Sequence, residues 1–282
     1  VRQCLQAGEA PLIIERNVSP SYLKCLYLPP IYPGNATKKF LMRELENFKR
    51  DIEKFSGKKI TEKDLRNSIE IYNRNRALLR KFYEIRRKKP GLLRARDVMA
   101  VVWSSMFVPK EEHSEHLERL ISKLEGMEGK DDKIRVILVG CLCQTPQFDI
   151  LDLIEDLGMT VVDDDIYVGS RYFANDVEVN GNPLESIAER YLKKIPFCPT
   201  KGDWETKWGE YAIEMMRKNN AQGIISLLVK YCPPHMCYYP DFRAEMIKNG
   251  VNEVMIEVEH ETVSFENIKM RLQSFVETIR GI

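Results

Sequence analysis

Cys232 lies in the segment Gly223–His235, GIISLLVKYCPPH, where the apolar run Ile224–Val229 is bounded by Gly223, Lys230 and a proline pair. A run that short and that apolar predicts a fully buried strand rather than a helix. The thiol then stands just past the carboxyl end of that strand, where open α/β sheets place their ligands. Pro233 and Pro234 lack a backbone N–H and have a fixed φ, so the expectation is a stiff loop that continues as neither strand nor helix. A cysteine so placed can ligate a metal, or act as a nucleophile beside His235 or His260. The bland alternative is a small buried hydrophobe.

Other reactive side chains fall at comparable places. Gly140-Cys-Leu-Cys-Gln-Thr-Pro146, Asp163-Asp-Asp165, Lys230–His235 and Glu259-His-Glu261 each follow a predicted strand, so thiols, carboxylates and imidazoles converge on one rim. Cys141-x-Cys143 with Cys232-x4-Cys237 would give four thiolates, but the spacings match neither a zinc knuckle nor a ferredoxin run. Three adjacent carboxylates cannot all point outward, so Asp163, Asp164 and Asp165 require partners; Arg171 is the expected cation, in a structural clamp or at a substrate. No G-x-G-x-x-G or G-x-x-x-x-G-K-[ST] occurs, and nothing supports a nucleotide-phosphate cradle. His113 and His116, three apart among Glu111, Glu112, Glu115 and Glu118, share a helix face; a polar exposed face is the favoured reading over a metal site. The basic run Arg86–Lys89 before Pro90 is read as a solvated helix end suited to the dipole.

The elements that must position these groups follow from periodicity. Ser21–Leu28 is a candidate strand. Helices are predicted from Asn35, as cap, to about Phe55, and from a capping-box-like Thr61–Asp64 through the stripe Leu65, Ile69, Tyr72, Leu79 and Phe82. Two more, Arg94–Phe107 and Pro109–Glu125, complete a helical subdomain. After the polar linker Gly126–Lys133 the rhythm becomes βα. Strands are expected at Ile134–Val139, Met159–Val162, Ile224–Val229 and Val254–Val258. Helices are expected at Pro146–Leu157, Pro183–Lys193, Trp204–Asn219, Asp241–Lys248 and Ser264–Ile279. That alternation implies a parallel sheet, Rossmann-like, with helices on both faces. The expected division is residues 1–33 as the end of a truncated N-terminal α/β domain, 34–130 as the helical subdomain and 131–282 as the C-terminal α/β domain.

At 44% hydrophobic and 30% charged residues with a formal net charge of +1, the chain has no nucleic-acid or membrane footprint. Its seven cysteines, an odd number in a long chain, fit a reducing cytoplasm better than a disulfide framework. The first residue is Val1 and no clear element precedes Ser21, so the chain reads as beginning partway through a domain.

Arg135–Pro146, Val161–Asp165 with Gly169-Ser-Arg171, Asn182-Pro-Leu184 and Gly223–Cys232 together resemble the benzoyl-CoA reductase / 2-hydroxyglutaryl-CoA dehydratase family, and specifically its smaller subunits. The likeness extends over essentially the whole chain. It implies a subunit of an enzyme that reduces an acyl-CoA thioester by one electron to a ketyl radical, leading to dehydration of a 2-hydroxyacyl-CoA or to reduction of an aromatic ring. It implies a 4Fe-4S cluster held by three cysteines, a homologous larger subunit and an ATP-hydrolysing iron–sulfur activator as partners. On this resemblance Cys232 matches the third cluster ligand. The first two would lie upstream of Val1, so the chain alone is expected to be inactive. Cys143, Gln144, Asp163, Asp164, Asp165 and Arg171 become candidates for the substrate pocket. The competing expectation is a paralogous subunit that keeps the fold for assembly without a competent site.

Overall fold

The computed structural model describes residue 14 and residues 16–29, 34–130, 132–142, 145–199, 207–259 and 265–282. In chain order the elements are α1 (Asn35–Ser56), α2 (Glu62–Lys88), α3 (Ala95–Ser104), α4 (Lys110–Glu125), β1 (Ile134–Gly140), α5 (Phe148–Asp156), β2 (Met159–Asp165), the single turn α6 (Ser170–Phe173), α7 (Pro183–Lys193), α8 (Trp208–Lys218), β3 (Gly223–Val229), α9 (Pro233–Lys248), β4 (Glu253–Val258) and α10 (Glu266–Arg280). Two compact units result, Val1–Asn73 with Asn175–Glu205, and Arg74–Ala174 with Thr206–Ile282.

In the first unit α1 packs on α7 through Leu41, Leu45, Ala188 and Leu192. Lys38 bridges Glu185 and Glu189 across the same contact. The expected capping box forms: the Thr61 hydroxyl accepts from the Asp64 N–H at 3.2 Å, and the Asp64 carboxylate accepts from the Thr61 N–H at 2.8 Å. Two expectations fail here. Asn35 is the first helical residue rather than the cap, which is Gly34 without a side-chain bond. Ser21–Leu28 is not a strand: among the described residues its backbone has no strand to pair with. Side chains hold that segment on α1 instead, with Lys24 on Asp51 at 2.6 Å and Tyr22 against Phe55.

The second unit is a four-stranded, all-parallel sheet of order β2-β1-β3-β4. Strand parity divides its core. Val136, Leu138, Ile225, Leu227, Ile256 and Val258 pack with α5, α10 and the apolar faces of α2–α4. On the alternate parity Ile137, Val139, Ile224 and Leu228 are fully buried, and α8 covers β1 and β3 there with α9 packed on α8. Near-continuous apolar strands are the signature of such a two-sided sheet. Gly140 closes β1 because a Cβ there would stand 2.1 Å from the Leu227 carbonyl oxygen. That close approach places the following residue, Cys141, beside β3.

Three element boundaries differ from the sequence reading in ways that matter for the rim. β2 does not stop at Val162 but runs through all three aspartates, every residue buried. The pairing with β1 slips after Val136↔Val161 to Ile137↔Asp163, leaving Val162 as the extra residue of a bulge. α9 begins at Pro233, with both prolines in its first turn and Cys232 as N-cap. The missing N–H of a proline costs nothing in a first turn, so the pair starts a helix rather than a stiff loop. α5 begins at Phe148, after Pro146 rather than at it. No helix among the described residues is long and apolar enough to cross a membrane.

Candidate active-site rim

Three backbone ends bring the rim together. Cys141 directly follows β1, Cys232 follows β3 after Lys230 and Tyr231, and Asp165 ends β2. Tyr231 is 94% exposed and sits at φ 60°, a left-handed conformation that a bulky residue adopts only when its surroundings impose it. That turn, closed by the Cys232 N–H on the Val229 carbonyl at 3.2 Å, swings Cys232 back over the sheet instead of continuing the strand.

The result is a compact donor set. Cys141, Cys232 and His235 each present a ligand atom, and all three atoms lie within 4.8 Å of one another. Cys232 Sγ is 3.5 Å from His235 Nδ1. Cys141 Sγ accepts from the Val229 N–H at 3.1 Å, which pins the second sulfur to the end of β3. A hydrogen bond from the Cys141 thiol, supported by His235, holds the Cys232 thiol down to about 4 against the opposing effect of burial. These contacts favour the thiolate form of Cys232. His235 is 1% exposed and packs edge-on against Trp208 and Tyr167. Its Nε2 has no hydrogen-bond partner among the described residues.

The aspartate row lies on the β2 side of this rim, and each carboxylate is engaged. Asp163 takes a bidentate contact from Arg87, both bonds 2.9 Å, and one from Asn219 at 2.9 Å. Asp164, fully buried, accepts from Tyr83 Oη at 2.7 Å, Arg86 at 2.8 Å and the Ser170 N–H at 2.8 Å. Burial pushes its carboxyl above the usual range, with Arg86 pulling the other way. A Cβ on Gly169 would meet Asp164 Oδ1 at 2.2 Å, so the Gly-Ser-Arg stretch can wrap this carboxylate only because residue 169 has no side chain. Asp165 pairs with Arg171 at 2.7 Å and accepts from Trp208 Nε1 at 3.2 Å. Its Oδ1 has no partner among the described residues. Trp208 thus touches both Asp165 and His235 and joins the two halves of the rim.

Several sequence expectations are settled by this geometry. Arg171 is a partner of the row, as expected, pairing with Asp165 at its end. The basic run at the end of α2 is not a solvated helix end: Arg86 is 2% exposed and, with Arg87, neutralises the other two aspartates. The signal is present in the sequence, since Arg86 continues the buried stripe Leu79, Phe82, Tyr83 at helical spacing. His113 and His116 do not share a face. His113 is buried, its Nδ1 taking the Asn75 amide at 2.8 Å and its Nε2 facing the Val101 carbonyl at 3.1 Å, and burial pushes its pKa down. His116 is solvent-facing beside Glu112. With both nitrogens used, His113 has no lone pair for a metal. Cys237 is exposed and outside the donor set, while Cys143, Gln144 and His260 lie outside the described residues.

A family model described as 2-hydroxyglutaryl-CoA dehydratase, D-component, matches residues 2–279. The chain is 30% identical over 258 residues to the (R)-phenyllactyl-CoA dehydratase beta subunit of Clostridium sporogenes, covering 90% of this chain and 68% of that protein. It is 33% identical over 246 residues to the beta subunit of the lactoyl-CoA dehydratase of Anaerotignum propionicum, covering 86% and 65%. A subunit of the benzoyl-CoA reductase of Thauera aromatica is 27% identical over 261 residues, covering 92% and 68%. The chain thus spans about two thirds of the length of these relatives, all of them enzyme subunits. It belongs to the 2-hydroxyglutaryl-CoA dehydratase D-component family.

Proposed function

We propose that this chain is the cluster-ligating part of a small subunit in an acyl-CoA dehydratase or reductase, with Cys232 as one thiolate ligand of a 4Fe-4S cluster. The observation that carries the reading is the position of that sulfur, just past the carboxyl end of β3 on a turn whose backbone is held off its relaxed conformation. A cubane takes one cysteine per iron. Cysteine sulfurs radiate outward from its corners and stand further apart than a hydrogen-bonded pair, so Cys141 does not fit as a second ligand of the same cluster. This rim therefore supplies one ligand, and the others come from residues outside it.

When bound, the cluster supplies an electron at low potential to the thioester. The chain's own residues set the surroundings. Trp208 and Tyr167 pack edge-on against the buried His235 and form an apolar wall on the side of Cys232 where that imidazole lies. Cys143, Gln144 and the Asp165–Arg171 pair are assigned to shaping the acyl-CoA pocket; Asp163 and Asp164 act behind them as the anchor of β2. A homologous larger subunit and an ATP-driven iron–sulfur activator are the partners this chemistry requires, in a cytoplasmic, anaerobic setting.

The test is iron and acid-labile sulfide on the subunit expressed from its complete reading frame and purified without oxygen, beside Cys232→Ala. About four of each in the parent, lost in the variant, is the expected result. Iron-free parent protein, or a variant that keeps its iron, overturns the assignment and leaves a non-catalytic assembly subunit as the reading.

A further inference from the structure

We propose that Cys141, Cys232 and His235 form a mononuclear site for one thiophilic divalent cation of the zinc class, whose ligand set overlaps that of the proposed cluster at Cys232 and so competes with it. The distances carry this. A tetrahedral ion with bonds of about 2.3 Å to sulfur and about 2.0–2.1 Å to imidazole nitrogen sets those two atoms roughly 3.5 Å apart. The Cys232 Sγ–His235 Nδ1 distance is 3.5 Å, and all three donor atoms fall within 4.8 Å of one another. The two sulfurs, too close for two corners of a cubane, suit two corners of one tetrahedron.

The donors are also held in place without the ion. Cys141 is fixed by the Gly140 approach to Leu227 and by its bond from the Val229 N–H. Cys232 is the N-cap of α9, and His235 lies on the first turn of the same helix, so their spacing is set by helix geometry. The imidazole is 1% exposed with its Nε2 unpartnered among the described residues. With the proton on Nε2, Nδ1 directs its lone pair to the side where the sulfurs lie. Two thiolates and one imidazole select zinc-class ions over magnesium or calcium, and three protein ligands leave the fourth position for water or an added thiol. The site shares Cys232 with the cluster, so an ion bound there excludes cluster assembly on that residue.

The experiment uses the 282-residue chain, reduced and metal-free, titrated with cobalt(II). One equivalent should bind with a thiolate-to-cobalt charge-transfer band and the intense visible bands of a tetrahedral ion, and zinc should displace it. Cys141→Ser and His235→Gln, each checked for native circular dichroism, should weaken binding by more than the roughly 10–100-fold that losing a supporting partner costs. The exposed Cys237→Ser should bind as the parent does. Cobalt that binds without a charge-transfer band, or a band that survives both ligand variants, overturns the proposal and leaves a hydrogen-bonded thiol pair. Cys141→Ser separates this site from the cluster: in the complete subunit it should keep its iron and sulfide, which Cys232→Ala loses.

Discussion

Breaking the Arg86–Asp164 pair should produce two penalties that differ in their response to pH. The nitrogen and oxygen are 2.8 Å apart with side chains 2% and 0% exposed. Unit charges about 4 Å apart at an effective dielectric of about 20 attract by about 4 kcal/mol. Removing one partner of a buried pair costs about 3–5 kcal/mol because the survivor stays uncompensated. The survivors are not equivalent. Asp164, left by Arg86→Met, can take up a proton and then donate or accept within its contacts to Tyr83 and Ser170. Arg86, left by Asp164→Asn, cannot discharge.

Burial already raises the Asp164 carboxyl from its ordinary 3.8, so the folded chain binds this proton more tightly than the unfolded one. Stability tied to such a group is fully present below the unfolded value and is lost as pH rises through the folded value. Without Arg86 the folded value rises further. The Arg86→Met penalty should therefore shrink as pH falls from 7 towards 4, with a slope of at most about 1.4 kcal/mol per pH unit. The Asp164→Asn penalty should change in the opposite sense, growing as pH falls because the variant lacks the group whose protonation stabilises the parent, and the double variant should cost less than the two singles summed. Hydrogen exchange of the β1 and β3 amides, read at several pH values, reports this unit alone. Single penalties that add within about 0.5 kcal/mol, or that share one pH dependence, would refute the reasoning.

Further expectations are smaller in scope. In the metal-free chain, Cys232 alkylation should be independent of pH from about 6 to 9, since its thiol titrates at about 4. Its rate at pH 7 should be close to that of an ordinary cysteine, because full ionisation is offset by the lower nucleophilicity of a low-pKa thiolate, with a Brønsted slope of about 0.4–0.5. A rate that keeps climbing to pH 9 would contradict the assignment. Gly140→Ala drives a Cβ to within 2.1 Å of the Leu227 carbonyl, so it should cost about 1–3 kcal/mol by denaturant titration and speed alkylation of Cys141. Gly169→Ala, whose Cβ meets Asp164 Oδ1, should destabilise similarly but spare Cys141 accessibility. Unchanged stability in either variant would show that the close approach is relaxed in solution.

The sheet is legible in the sequence because its strands are short apolar runs between turn residues, and the position of Cys232 past β3 follows from that alone. Long-range pairing and boundary chemistry are not legible in the same way. The bulge at Val162 is a register event between β1 and β2, invisible in β2 itself, and the aspartates lack strand propensity, so the strand looks finished before them. Proline pairs end or begin helices depending on which side the helix lies, and Pro240 inside α9 conceals its early start. Arg86 looks like dipole complement at a helix terminus. Its place on the apolar stripe carries more information than its charge, because an arginine on a buried face must have buried acids to meet. Cys141 is recognisable as a rim cysteine, but its contact with Cys232 depends on Gly140 and cannot be read from spacing.

The arrangement of charge explains how a thiolate is tolerated at this rim. Three aspartates end the strand beside it, and unpaired they would set a negative potential against both a thiolate and any anionic group bound to it. Arg87, Arg86 and Arg171 instead pair with Asp163, Asp164 and Asp165 one to one. Two of these cations come from α2 and one from the turn that wraps Gly169, so the neutralisation is built from elements that also fix β2 in place. The row is then an electrically balanced wall, and the excess negative charge of the site is left to the sulfur of Cys232. Losing any one of the three arginines should accordingly raise the Cys232 pKa, and Arg171, whose partner Asp165 shares Trp208 with His235, should raise it most.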